Sequence, residues 1–232
     1  MKNYFSSFQT LTKFEKGLWI TSLTVTLLSY AASFFLGGTG SLLNLIASLI
    51  GVTALIFVAK GHVLGQILTV VFSVFYGIIS VLFAYYGEMI TYLFMTTPMA
   101  IAAAMEWIKN PYKNTREVKV HKVTKNQLAV MWCLAILVTF LFYFILKALN
   151  TANLIFSTLS ITTSFVASYL TYLRSPYYAI GYSANDIVLI VLWILASMED
   201  ISYFPMVACF VMFLFNDLYG FYNWRKMQKR QK

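Results

Sequence analysis

Two aspartates stand inside apolar stretches, Asp186 and Asp217, and each directly follows an asparagine, Asn185 and Asn216. A carboxyl group within a lipid-spanning helix is costly, which makes both functional candidates. Neighbours on a helix point about 100° apart. One member of each pair can therefore face a cavity while the other bonds an adjacent helix. Interhelical hydrogen bonding by both members is the structural alternative. Aromatic and polar residues recur at helical spacing around them. Tyr182, Asp186 and Trp193 fall at i, i+4 and i+11, and Asn216, Tyr219 and Asn223 at i, i+3 and i+7. Upstream, Gln66 and Ser73 share a face, with Tyr76 and Gly77 one turn on. An acid flanked by rings suits a flat, cationic ring through stacking and cation–π contact. Asn and Gln amides orient amide or ribose hydroxyl groups. For any single ring the alternative is helix packing or an interfacial belt.

Other chemistries lack their residues. There is no GxxxxGK[ST] loop for ATP, and no Ser-His-Asp or metalloprotease pattern. His62 and His121 lie in connections, far from any Cys or acidic cluster, so neither a metal nor a cofactor is expected. No filter motif of an ion channel is present. Cys133 and Cys209 sit in separate apolar stretches and form no CxxC pair; both read as small buried residues.

The elements that must position these residues follow from composition. The chain is 60% hydrophobic and only 11% charged, against about a quarter charged in soluble domains. Its apolar residues gather in runs of about 18 or more, the length that crosses the hydrocarbon of a bilayer. Backbone groups in lipid must satisfy one another, and the runs do not alternate as barrel strands do. The fold class is therefore an all-α membrane protein. Helices are predicted over residues 18–36, 42–59, 62–86, 89–108, 127–149, 153–173, 180–198 and 201–222. Gly37-Gly38-Thr39-Gly40 separates the first two, Lys60-Gly61-His62 the next two, and Asn110-Pro111 ends the fourth. The first run, Leu18 to Leu36, is longer than a signal peptide's apolar region and is read as a retained span.

The net charge of +9 comes from basic residues clustered beside the apolar runs, a topology signal rather than a nucleic-acid footprint. With eight spans, every Lys and Arg except Lys147 falls on one side. That side is expected to be cytoplasmic, together with both chain ends. Internal similarity adds a plan. Asn44-Leu45-Ile46-x-Ser48 recurs as Asn153-Leu154-Ile155-x-Ser157. Glu88-x-Ile90-Thr91-Tyr92 recurs as Glu199-x-Ile201-Ser202-Tyr203. Glu106-Trp107-x-Lys109 has a weaker echo in Asn223-Trp224-x-Lys226. The plan is an N-terminal tail and extra helix (1–41), a three-helix unit (42–108), a basic loop and linker helix (109–152), a second three-helix unit (153–224) and a basic tail (225–232). An odd linker makes the units parallel repeats, as in SWEET-type carriers. Pro98 and Pro205 fall in the third helix of each unit, where kinks or a broken helix are expected.

At the end of the last run the chain reads Asn216-Asp217-Leu218-Tyr219-Gly220-Phe221-Tyr222-Asn223-Trp224-Arg225. This N-x-Y-G-[FW]-Y-x-W pattern, followed by basic residues, resembles the PnuC family of vitamin transporters over roughly residues 42–226. The Gln66–Gly77 segment fits as well. The resemblance implies a SWEET-like fold in a bacterial cytoplasmic membrane and a homotrimer. It implies facilitated diffusion of nicotinamide riboside, trapped inside by phosphorylation, with no enzymatic activity. Asn216, Tyr219 and Trp224 stand on motif positions. The expected substrate-binding set is Gln66, Ser73, Tyr76, Tyr182, Asn185, Asp186, Trp193, Asn216 and Tyr219. Three alternatives stay open: a same-fold carrier of thiamine, riboflavin, a deoxynucleoside or a sugar; a substrate-binding membrane subunit of an ATP-driven importer; and a proton-coupled carrier using Asp186 or Asp217.

Overall fold

The computed structural model describes residues 4–36, 42–82, 86–113 and 115–232. Among them run eight helical segments: α1 (Lys13–Phe35), α2 (Leu42–Ala59), α3 (Val63–Leu82), α4 (Tyr86–Ile90, Thr91–Thr96 and Thr97–Lys109), α5 (Lys125–Ala148), α6 (Leu154–Tyr172), α7 (Tyr178–Glu199) and α8 (Phe204–Arg230). All but α3 and α4 are long and apolar enough by themselves to cross a membrane. The chain is an all-α, multi-pass membrane protein. The glycine-rich break at residues 37–40 lies outside the described residues.

Two helix starts differ from hydropathy because capping, not apolarity, sets them. Thr12 accepts from the Glu15 N–H while the Glu15 carboxylate accepts from the Thr12 N–H, so α1 begins ahead of its apolar run. The same box forms between Thr124 and Gln127 at the head of α5. At the other extreme, α8 continues to Arg230, well past the apolar run, because Asn223 to Arg230 is polar rather than helix-breaking. Pro205 occupies its first turn, where a missing N–H costs nothing.

Helix α4 is not uniform. Between Thr91 and Thr96 its turns widen to π geometry, and Thr97 bonds back to the Tyr92 carbonyl, five residues earlier. Pro98 follows at once. A proline in a regular helix clashes with the carbonyl four residues before it, and the widened turn relieves that clash. The Thr97 hydroxyl has two acceptors for its one proton, Tyr92 O at 2.8 Å and Ser73 Oγ at 2.9 Å, which ties the widened turn to α3.

The helices pack in two similar sets. Helix α2 lies against α3 and α8, and α6 lies against α7 and α4. Glycines allow the closest approaches. A Cβ on Gly65 would come within 2.4 Å of the Val58 nitrogen in α2, and one on Gly181 within 2.9 Å of the Ala167 Cα in α6. Helix α1 rests on α8 and α2. Helix α5 packs chiefly on α6 and leaves Trp132, Ile136 and Phe140 exposed.

At the basic end the loop after α4 is stitched to both inter-helix turns. Val118 N–H donates to Gly61 O at 2.9 Å and His121 N–H to Arg174 O at 3.0 Å. Behind it lies a core of Val58, Trp107, Val118, Met131, Leu170, Tyr178 and Trp224.

Candidate functional site: an aromatic cavity between α3, α4, α6 and α7

A cavity of about 450 Å³ opens at the end of the molecule opposite the basic loop. Its mouth carries Asn150, Asn153 and Glu199, and its wall comes from α3, α4, the end of α5 and the turn after it, α6, α7 and the first part of α8. The volume lies in the range of small-molecule sites. Two aromatic pairs form much of the wall. Tyr76 of α3 lies 4.6 Å from Tyr92 of α4, centroid to centroid. Trp193 of α7 lies 5.6 Å from Tyr203, in the short turn before α8. The widened turn of α4 places Thr91, Tyr92 and Thr96 together on the wall.

On α7 the cavity stripe is Asn185, Leu189, Leu192, Trp193 and Ala196, spaced as one helical face. The Asn185 carbonyl accepts from the Thr163 hydroxyl at 2.9 Å, which fixes the amide and leaves its two N–H donors for the cavity side. The indole N–H of Trp193 is buried in the wall and has no acceptor among the described residues. Ser160 and Ser164 of α6 add hydroxyls. Among the described residues the lining contains no Lys, Arg or His.

Of the residues expected from sequence, Tyr76, Asn185 and Trp193 meet around this cavity; Gln66, Ser73, Tyr182, Asp186, Asn216 and Tyr219 do not line it. Gln66 is buried and Ser73 meets Thr97. Tyr182 pairs with the Ser168 hydroxyl at 2.9 Å. Asp186 points 100° away from Asn185 into the seam between α7 and α8, where it lies in hydrogen-bond reach of Asp217. The Asp186 Oδ2 is buried and has no hydrogen-bond partner among the described residues.

The motif residues of α8 turn the other way. The Asn216 amide donates to Ser22 Oγ at 3.0 Å, and the Tyr219 hydroxyl to Glu15 Oε1 at 2.9 Å, so both bind α8 to α1. Glu15 also carries an ion pair with Lys60 at 2.8 Å. Asn223 donates to Ala59 O and Trp224 to Val58 O, each at 2.9 Å, binding α8 to α2. The motif is a set of interhelical ties. Tyr92 and Tyr203, absent from the expected set, were signalled by the repeat in which each closes the same five-residue pattern.

A bundle of apolar helices enclosing a cavity of this size, sealed at one end and open at the other, is the architecture of a multi-pass membrane transporter. The chain belongs to the nicotinamide mononucleotide transporter family, whose model matches residues 41–226. It is 26% identical over 208 residues to the nicotinamide riboside transporter PnuC of Neisseria mucosa, covering 88% of this chain and 79% of that protein. It also matches the crystal structure of the vitamin B3 transporter PnuC with a TM-score of 0.77 and 25% identity, over 96% of this chain and 94% of that one.

Proposed function

We propose that this chain carries nicotinamide riboside across a bacterial cytoplasmic membrane by facilitated diffusion, with Trp193 at the centre of the site. The observation that carries the reading is the buried Trp193 N–H, unpartnered among the described residues, in a wall of paired rings whose described lining holds no basic side chain. The rings suit a flat, cationic nicotinamide. Asn185, Ser160 and Ser164 suit ribose hydroxyls, and the Glu199 carboxylate at the mouth favours a cation. A mononucleotide would bring a phosphate, which needs Lys or Arg partners when taken from water; the absence of these from the described lining favours the riboside.

Trp107 Nε1 donates to Thr171 O of α6 at 3.0 Å and Trp224 Nε1 to Val58 O of α2 at 2.9 Å, and this reciprocity supports a plan of two parallel three-helix units, 42–108 and 153–224, that rock about the cavity. In the same proposal the basic side and both chain ends are cytoplasmic, phosphorylation inside traps the riboside, the assembly is a homotrimer, and the protein is not an enzyme. Uptake of labelled riboside into proteoliposomes that contain only this chain, without ATP and without a pH gradient, tests the transport mode. Uptake that appears only with an imposed pH gradient or an ATPase partner overturns it. A cysteine replacing Lys119 is expected to resist an impermeant external reagent; labelling from outside overturns the orientation.

A further inference from the structure

A second cavity, about 830 Å³, lies at the basic end and shares no lining residue with the first. It is formed by the first turn of α1, the α2–α3 turn, the basic loop and the second half of α8. One side of it is apolar and open to the surroundings of the bundle: Phe14, Phe215 and Tyr222 are 63%, 55% and 65% exposed. On α8, Phe215, Tyr222 and Lys226 fall at i, i+7 and i+11, a single stripe along about 16 Å of helix rise. The apolar run of α1 begins at Leu18 and that of α8 ends at Tyr222. The cavity thus lies where the hydrocarbon gives way to headgroups.

Its charged lining is Lys60, Arg116, Lys226 and Arg230 against Glu15 and Glu117, an excess of two positive charges. Glu15 holds Lys60 and Glu117 holds Arg230. Arg116 donates to Ser7 Oγ at 3.1 Å. Lys226 is exposed and has no ion pair among the described residues. Exposed rings at acyl-chain depth beneath a net-basic cavity at headgroup depth match one kind of occupant in both parts. We infer that this cavity binds an anionic phospholipid, its phosphate at Lys226 and an acyl chain along Phe14, Phe215 and Tyr222. Such a lipid lies across the α1–α8 junction, beside the Glu15–Lys60 and Glu15–Tyr219 ties, and joins α1 to the rest of the bundle.

The test is native mass spectrometry of the full chain in neutral detergent, titrated with phosphatidylglycerol and with phosphatidylcholine of the same acyl chains. Phosphatidylglycerol is expected to bind at least about tenfold more tightly. Lys226→Gln is expected to weaken it about fivefold and Lys226→Glu about twenty-five-fold. Lys125→Glu, the same charge change on an exposed residue away from the cavity, is expected to leave it unchanged. Equal binding of the two lipids overturns the inference, as does equal loss in Lys125→Glu and Lys226→Glu, which would mark general surface charge. Displacement of the lipid by glycerol 3-phosphate at equal concentration overturns it too, since that would make the cavity a site for soluble anions.

Discussion

The indoles of Trp107 and Trp224 lie 5.2 Å apart, and each donates its N–H to a carbonyl in the last turn of another helix. Trp107 bonds Thr171 O in α6 at 3.0 Å, and Trp224 bonds Val58 O in α2 at 2.9 Å. Both are fully buried. The pair belongs to the buried core that closes the basic end, and the proposed rocking of the two units requires both bonds to break. Replacing Trp224 by Phe removes one bond and keeps a ring, a loss of about 1 kcal/mol. Hydrogen exchange of the Val118 amide, which is bonded to Gly61 O beside this seal, is expected to quicken about fivefold. Unchanged exchange would mean that the indole bond does not hold the seal.

Asn216→Ala is expected to lower stability by about 0.5–2 kcal/mol and leave riboside affinity untouched, because its amide bonds Ser22 of α1 rather than the cavity. Thermal unfolding and calorimetry on the same sample separate the two effects. Loss of affinity with unchanged melting would return Asn216 to the ligand site.

Asp186 and Asp217 are both buried where α7 meets α8, and Asp186 Oδ2 has no hydrogen-bond partner among the described residues. Asp186→Asn and Asp217→Asn supply an N–H donor and are expected to melt within about 1 kcal/mol of the parent, while Asp217→Ala is expected to lose about 2 kcal/mol or more by leaving a buried partner unsatisfied. Asn variants that fold but no longer carry riboside would assign the pair to transport instead of the α7–α8 seam.

His62, in the α2–α3 turn, is held neutral. Its Nδ1 accepts from the Leu64 N–H at 3.0 Å, which leaves Nε2–H to donate to Ser7 Oγ at 3.3 Å. Burial first, then the charges of Arg116 and Lys60, push its pKa down to about 4 from 6.5. The unfolded chain therefore binds the extra proton at higher pH than the folded one. The contribution of His62 to stability is complete above about pH 6.5 and is lost as pH falls toward 4. In His62→Gln that fall is expected to flatten in a melting series across the same window; an unchanged slope would place the acid sensitivity elsewhere.

The helices were legible because lipid leaves so little choice: long apolar runs must be helical, and Lys and Arg mark one side. Helix ends were less so. Hydropathy does not register the Thr12–Glu15 box or the polar turns of α8 beyond Tyr222. Among the residues that line the candidate cavity, Asn185 and Trp193 could be read from their face on α7, and Tyr76 from its place one turn beyond Ser73. Ser160 and Ser164 could not, since a serine in an apolar helix bonds its own backbone as readily as a ligand. Asn216 and Tyr219, expected on the substrate, instead meet α1. Polar residues at helical spacing near a helix end serve a ligand or a neighbouring helix equally well, and Ser22 and Glu15, nearly two hundred residues earlier, decide for the neighbour.

The most direct test of the account is calorimetric titration of the purified full chain and of Trp193→Ala with nicotinamide riboside, alongside thiamine, riboflavin and a deoxynucleoside. Heat from the riboside alone, lost in Trp193→Ala and kept in Asn216→Ala, is the result expected. Silence with the riboside, or equal affinity with and without the Trp193 indole, would contradict the site and the substrate together.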